Sequence, residues 1–228
     1  MNLIFAVKKM MNINIPNNIV LTWKNKNIPE NIINNIRNLN IDKNILFFTD
    51  DDILDFLKTE YGNQFVDYFN TIKYGYNKSD FFRYCYLYKY GGYYCDIDIE
   101  HILPISQYIK NSTEFFTVIS QIAHGHIFQA LLYTKPEHSI LKDCIDDMLK
   151  FGPNPPITQN YVGHTTTCMY NNVQKYLKIK PRHGYFIDTN IQLAQEIIYN
   201  KRHLCIYDNI PIAFSRYQNY TRKDGFIQ

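Results

Sequence analysis

Residues 80–100, DFFRYCYLYKYGGYYCDIDIE, constrain what this chain can fold into more than any other stretch. From Asp80 to Tyr90 the sequence is almost unbroken apolar and aromatic, and a helix apolar on nearly every face belongs in an interior. Ser79 reads as its N-cap, and Asp80 sits in a first turn that favours an acid. Gly91 takes the position past the last turn, where a left-handed backbone costs glycine nothing. After Gly92 the period changes. Ile97 and Ile99 alternate with Asp96, Asp98 and Glu100, the two-residue repeat of a half-buried strand. In an extended chain residues i and i+2 share a face. Asp96 and Asp98 are therefore expected side by side at the strand's end, with Glu100 continuing the row.

A bare Asp-x-Asp says little, because acidic pairs decorate solvated strands and loops in many proteins. Its surroundings give it meaning. Two carboxylates at this spacing suit a hard divalent cation that takes oxygen ligands, so Asp96 and Asp98 are the candidate metal ligands. Asp80 and Arg83 are charges within an otherwise apolar helix, three residues apart on one face. Such a pair can be an internal ion pair, or both members can face the cleft that holds the metal. A buried pair adds little net stability over apolar isosteres, which favours the ligand-facing reading.

The segment resembles the sugar-binding region of glycosyltransferase family 32. Asp80, Arg83, Tyr84, Leu87, Tyr88, Tyr90, Gly91, Gly92, Tyr94, Asp96 and Asp98 match that family's pattern in place and spacing. A second match lies upstream, where Ile15-Pro16 precedes the strand-like IVLTWK of residues 19–24 and then Ile28-Pro29. Trp23 is the chain's single tryptophan and ends what reads as the first strand; in open α/β sheets ligands sit beyond the carboxyl ends of strands. Relatives commonly carry histidine where this chain has Val20.

The resemblance implies a GT-A, Rossmann-like α/β fold with a mixed, mostly parallel central sheet. It also implies a nucleotide-sugar donor, manganese or magnesium, and transfer to a glycan or other hydroxyl acceptor with retention of anomeric configuration. Trp23 would stack on the donor's base, with Leu21 and Thr22 reading its edge. Tyr94 and Asp96 would complete the donor contacts. Asp80 and Arg83 would bind the sugar hydroxyls, and Asp98, assisted by Asp96, would carry the metal beside the leaving diphosphate.

Length is compatible with one compact domain over residues 1–228, with 1–14 as an N-terminal extension and 214–228 as a mobile closing tail. Twenty tyrosines and 15 phenylalanines supply rings for packing and for stacking on sugars. A formal net charge of +3 without a basic stripe gives no support to nucleic-acid binding. No apolar stretch approaches the roughly twenty residues that span a bilayer, and residues 3–7 are too short for a signal-peptide core. A soluble, cytoplasmic protein is expected. Cys85, Cys95, Cys144, Cys168 and Cys205 form no Cys-x-x-Cys and read as reduced thiols of the interior.

Elsewhere the pattern predicts strands at 18–23, 44–48, 115–120 and 128–133, and helices at 30–39, 52–59 and 138–150, a nucleotide-binding βαβ beginning. Asp50, Asp51 and Asp52 read as helix-capping acids before Ile53, Phe56 and Leu57. His124 and His126 have a spacing that can ligate a metal, with no further Cys or His nearby. By resemblance, Gln129 is a candidate sugar or acceptor contact. Residues 153–156 and Gly163-His164-Thr165 read as loops, with His164 where relatives have proline. The basic residues of the tail, among them Arg216, Arg222 and Lys223, could fold over a diphosphate, although the family's His and Trp are absent there.

Two other functions fit the same motif. A metal-dependent nucleotidyltransferase would place a Gly-Ser turn one helix upstream, and none precedes Ser79-Asp80. A non-catalytic module would bind nucleotide sugars or glycans without turning them over.

Overall fold

Strand β1 (Asn18–Thr22) is buried along its length and pairs in parallel with β2 (Asn44–Phe48), the two joined through helix α1 (Glu30–Leu39). The computed structural model describes residues 17–23, 30–120, 124–152 and 163–215, without the side chains of 31, 32, 163 and 164. Residues 1–14, Lys24, the 153–156 segment and all of the tail beyond Ser215 lie outside the described residues.

Helix α2 (Asp50–Tyr61) starts on a capping box: the Thr49 side chain accepts from the Asp52 backbone, and the Asp52 carboxylate accepts from the Thr49 backbone. The three aspartates thus occupy the first turn, as their position before an amphipathic pattern requires. Helix α3 (Asn63–Thr71) follows, and then α4 (Gly75–Tyr90), which buries every residue from Asp80 to Leu87. The sequence reading began α4 at Ser79. Instead it starts a turn earlier with Tyr74 as N-cap, so Ser79 lies inside the helix and spends its hydroxyl on tertiary contacts.

Gly91 ends α4 at φ +62°. A Cβ there would lie 2.7 Å from Pro136 Cδ and 2.8 Å from the Thr134 carbonyl oxygen, so the site excludes side chains as well as requiring positive φ. Strand β3 (Gly92–Cys95) then pairs in parallel with β1 and antiparallel with β6 (Ile127–Thr134). The expected strand through Asp98 is not formed. It stops at Cys95, residues 96–99 turn with the Ile99 amide donating to the Asp96 carbonyl, and Glu100–His101 restart as β4. The alternation survives the turn: Ile97 and Ile99 are buried, while Asp96, Asp98 and Glu100 are half-buried.

Beyond α5 (Ile105–Tyr108) come β5 (Phe115–Ser120), β6, α6 (Ser139–Phe151) and α7 (Gly163–Leu177). Strands β7 (Gly184–Phe186), β8 (Ile191–Tyr199), β9 (Arg202–Tyr207) and β10 (Ile210–Phe214) complete the described chain. The ten described strands form one sheet in the order β2-β1-β3-β6-β5-β8-β9-β10-β4, with β7 also on β8. The fold is mixed α/β as expected, but only β1/β2, β1/β3 and β5/β8 are parallel. The remaining pairings are antiparallel, among them those of the tight hairpins that connect β8, β9 and β10.

Two apolar layers flank the sheet. One joins the faces of α2, α4, α6 and α7 to Val20, Tyr94, Phe115 and Leu193; the other joins α1 and α5 to Ile19, Tyr93, Cys95 and Ala194. All five cysteines are free and buried. From the registers, the carboxyl ends of β1, β2, β3, β5 and β8 share one edge of the sheet.

Candidate active site

That shared edge is where ligands bind in open α/β sheets, and the polar residues of the central motif gather on it. Thr22 ends β1, and its hydroxyl is 3.0 Å from both Ser79 Oγ and Tyr94 Oη, which are 2.5 Å from each other. This hydroxyl triangle ties β1, α4 and β3 together at their ends. Tyr94 Oη also lies 3.0 Å from Asp96 Oδ1, an acceptor for its proton.

Arg83 is the hub. Its guanidinium is 3% exposed and its Cζ lies 4.2 Å from the Tyr94 ring centroid. Nη1 donates to the Gln129 carbonyl at 2.7 Å, and Nη2 reaches Asp80 Oδ1 and Asp96 Oδ1, each at 3.0 Å. Nε and Nη2 also contact the Ser79 carbonyl and hydroxyl. Burial works against this charge, yet Asp96, Tyr94 and Asp80 outweigh it and hold Arg83 more firmly protonated than usual. Arg83 therefore faces protein acceptors and forms an internal ion pair with Asp80. Its fork bridges a largely buried carboxylate and a more accessible one.

Asp80 is 8% exposed, and burial raises its carboxyl above the ordinary range while Arg83 and the Thr165 hydroxyl pull it back. Thr165 Oγ1 donates to Asp80 Oδ2. Residues 163–165 are thus the first turn of α7 rather than a loop, and the His164 side chain is outside the described set. Asp96 differs from Asp80 in keeping 36% of its side chain accessible. Asp98 sits half-buried on the same turn.

Among the described residues no group of three or more His, Cys, Asp or Glu could hold a metal alone. The Asp96–Asp98 pair nevertheless fits one. Both are hard oxygen donors on a half-exposed turn, and a magnesium-like ion needs only one or two carboxylates when phosphate and water complete its shell. Glu100 does not extend the pair freely, since its carboxylate is bound by Arg202, whose guanidinium lies over the Phe214 ring. His126 Nδ1 is 2.8 Å from Thr166 Oγ1.

Trp23 follows Thr22 at the same edge, is 9% exposed, and donates its amide to the Phe48 carbonyl at 3.1 Å. Leu21 is fully buried. Gln129 is buried beside Arg83, its Oε1 contacted by Tyr84 Oη, and its amide nitrogen has no partner among the described residues. Thr165 had no motif to flag it. A hydroxyl eighty-five positions from its carboxylate partner is brought there by the packing of α7 on α6 and β6.

Residues 26–116 match the family described as glycosyltransferase sugar-binding region containing DXD motif. The chain is 32% identical over 106 residues to inositol phosphoceramide mannosyltransferase 1 of Schizosaccharomyces pombe (strain 972 / ATCC 24843). That alignment covers 46% of this chain and 32% of the yeast protein, so the likeness spans about a third of the relative's length. A solved structure entitled PaToxG Glycosyltransferase superposes with a TM-score of 0.48 at 16% identity, covering 72% of this chain and 70% of that one. The matched stretch holds the α4 helix, the β3 strand and the Asp96–Asp98 turn, so the part of this chain that is similar to a glycosyltransferase sugar-binding region containing the DXD motif is the part that builds the acidic edge.

Proposed function

We propose that the protein is a metal-dependent glycosyltransferase that moves a sugar from a UDP- or GDP-sugar to a glycan or other hydroxyl acceptor, with retention of anomeric configuration. The observation that carries this reading is the Asp96–Asp98 turn at the carboxyl end of β3, with Asp96 Oδ1 held by both Arg83 and Tyr94. A carboxylate fixed on one oxygen and open on its solvent side is prepared for a cation.

Each part of the edge then has a task. Trp23 and the neighbouring backbone at Leu21 and Thr22 take the base, and the Thr22–Ser79–Tyr94 triangle keeps that strand end in register with the acidic turn. Asp96 and Asp98 would hold manganese or magnesium. When bound, such an ion neutralises the charge that develops on the departing diphosphate. Asp80 borders the sugar and orients its hydroxyls, while Arg83 aligns Asp80 with Asp96, so that the anomeric carbon faces the acceptor.

The test is a thermal-shift panel of UDP- and GDP-sugars with and without manganese, followed by donor hydrolysis and transfer assays. A saturating donor should raise the unfolding midpoint by roughly 5–10 °C, and only with the ion. If no nucleotide sugar stabilises the protein in a manganese-dependent way, the transferase reading fails. Stabilisation without hydrolysis or transfer would identify a binding module.

A further inference from the structure

The Asp80 carboxylate is set from a direction the motif does not contain. Thr165, 6% exposed in the first turn of α7, donates its hydroxyl to Asp80 Oδ2, while Asp80 Oδ1 faces Arg83 at 3.0 Å. Arg83 carries the connection to Asp96 Oδ1, also at 3.0 Å. One unbroken chain of charge-assisted contacts thus runs from α7 through α4 to the acidic turn. Such bonds are about twice as strong as neutral ones and directional. A fifteen-residue helix also presents its positive end near this carboxylate, a favourable placement for an anion.

A second observation locks the same turn. The Tyr84 hydroxyl faces two acceptors, Gln129 Oε1 and the Thr165 carbonyl at 3.2 Å, and one O–H proton cannot serve both. Meanwhile Gln129 Nε2 is buried without a described partner. Turning the amide over settles the competition at Tyr84: Nε2 donates to Tyr84 Oη, and Tyr84 donates to the Thr165 carbonyl. Thr165 is then held by its backbone from Tyr84 while its side chain holds Asp80.

We propose that Thr165 is a positioning residue for sugar transfer, fixing Asp80 in the geometry that orients the donor's sugar. The inference rests on the transferase reading and names a residue outside the family-matched stretch 26–116. It also separates two binding functions. The base and diphosphate contacts lie on β1 and the acidic turn, whereas Thr165 acts on the sugar side.

The experiment compares Thr165→Val, Thr165→Ala and Thr165→Ser with wild type. We expect the Val and Ala variants to bind the nucleoside diphosphate with manganese as wild type does. Their kcat for donor hydrolysis should fall roughly ten- to hundredfold, because one hydrogen bond to a charged group is lost. Ser, which restores the hydroxyl, should recover kcat to within about threefold. Without any donor, the Asp80 side-chain carboxyl 13C resonance should move in Val and return in Ser. Wild-type kcat in either hydroxyl-free variant, or failure of Ser to restore it, overturns the proposal. Loss of folding in both hydroxyl-free variants assigns Thr165 a structural role and also overturns it. An inactive wild type whose carboxyl resonance still responds to Thr165 would sink the transferase reading while preserving the contact.

Discussion

Arg83 and Asp98 sit fifteen residues apart in one motif but carry different burdens. Arg83 is enclosed, and its removal takes the counter-charge from the buried Asp80 carboxylate and a donor from the Gln129 carbonyl. Breaking a buried ion pair from one side costs about 3–5 kcal/mol, so Arg83→Ala should lower stability by that amount in a denaturant melt. Asp98 is half-buried on a turn whose backbone bond is made by Asp96 and Ile99. Asp98→Ala should therefore abolish turnover while changing stability by no more than about 1 kcal/mol, the range of a surface substitution. Global unfolding of Asp98→Ala would return the acidic pair to a structural role. Sequence placed all the charges of this motif in one cleft but assigned Arg83 to the ligand. Its burial, with protein acceptors on all sides, emerges only once β6 is laid against α4.

At the scale of elements, the Gly91-Gly92 link sets the angle at which α4 hands over to β3. The space a side chain would need at Gly91 is filled by Pro136 and the Thr134 carbonyl, and the Glu137 amide donates to the Tyr88 carbonyl at 2.6 Å. Gly91→Ala should destabilise the fold by roughly 2–5 kcal/mol, combining backbone strain with overpacking. A midpoint unchanged by that substitution would show that β6 can withdraw. Strands β1, β2, β5 and β6 and helices α1, α2, α4 and α6 were legible because their apolar periods are strong or their caps are explicit. The acidic turn misled because Ile97 and Ile99 keep a strand's alternation after the ladder has ended. The strands of the β8–β10 meander escaped for another reason. Their turns at Asn200-Lys201 and Asp208-Asn209 place both central residues at positive φ, the geometry of two-residue hairpins, but neither pair carries the glycine that usually announces one.

The molecule as a whole spends its tyrosines on joining elements. Tyr61 Oη donates to the Cys85 carbonyl and Tyr68 Oη to the Met148 carbonyl, each at 2.7 Å, so rings in the core also tie helix to helix. Histidine plays a comparable part at α6, where His138 is the N-cap and its Nδ1 accepts from the Ile140 amide. Burial pushes His138 down to about 4. An unfolded chain takes up that proton below about pH 6.5, whereas the folded one resists until about 4, so stability is complete above the first value and lost towards the second. The loss is on the order of 3 kcal/mol. His138→Asn, a good cap that does not titrate, should flatten this acid limb in urea melts taken from pH 7 to 4. His101, also near 4, and Asp80, whose raised carboxyl acts with opposite sign, are common to both proteins and cancel in the comparison. Finally, β4 follows β3 by only a few residues yet stands at the far end of the sheet, where its ladder partner is β10. The acidic turn consequently links a central strand of the sheet to one paired with the last strand described. A nascent chain emerging from the ribosome can therefore anchor the far side of this turn only after residue 214 has appeared.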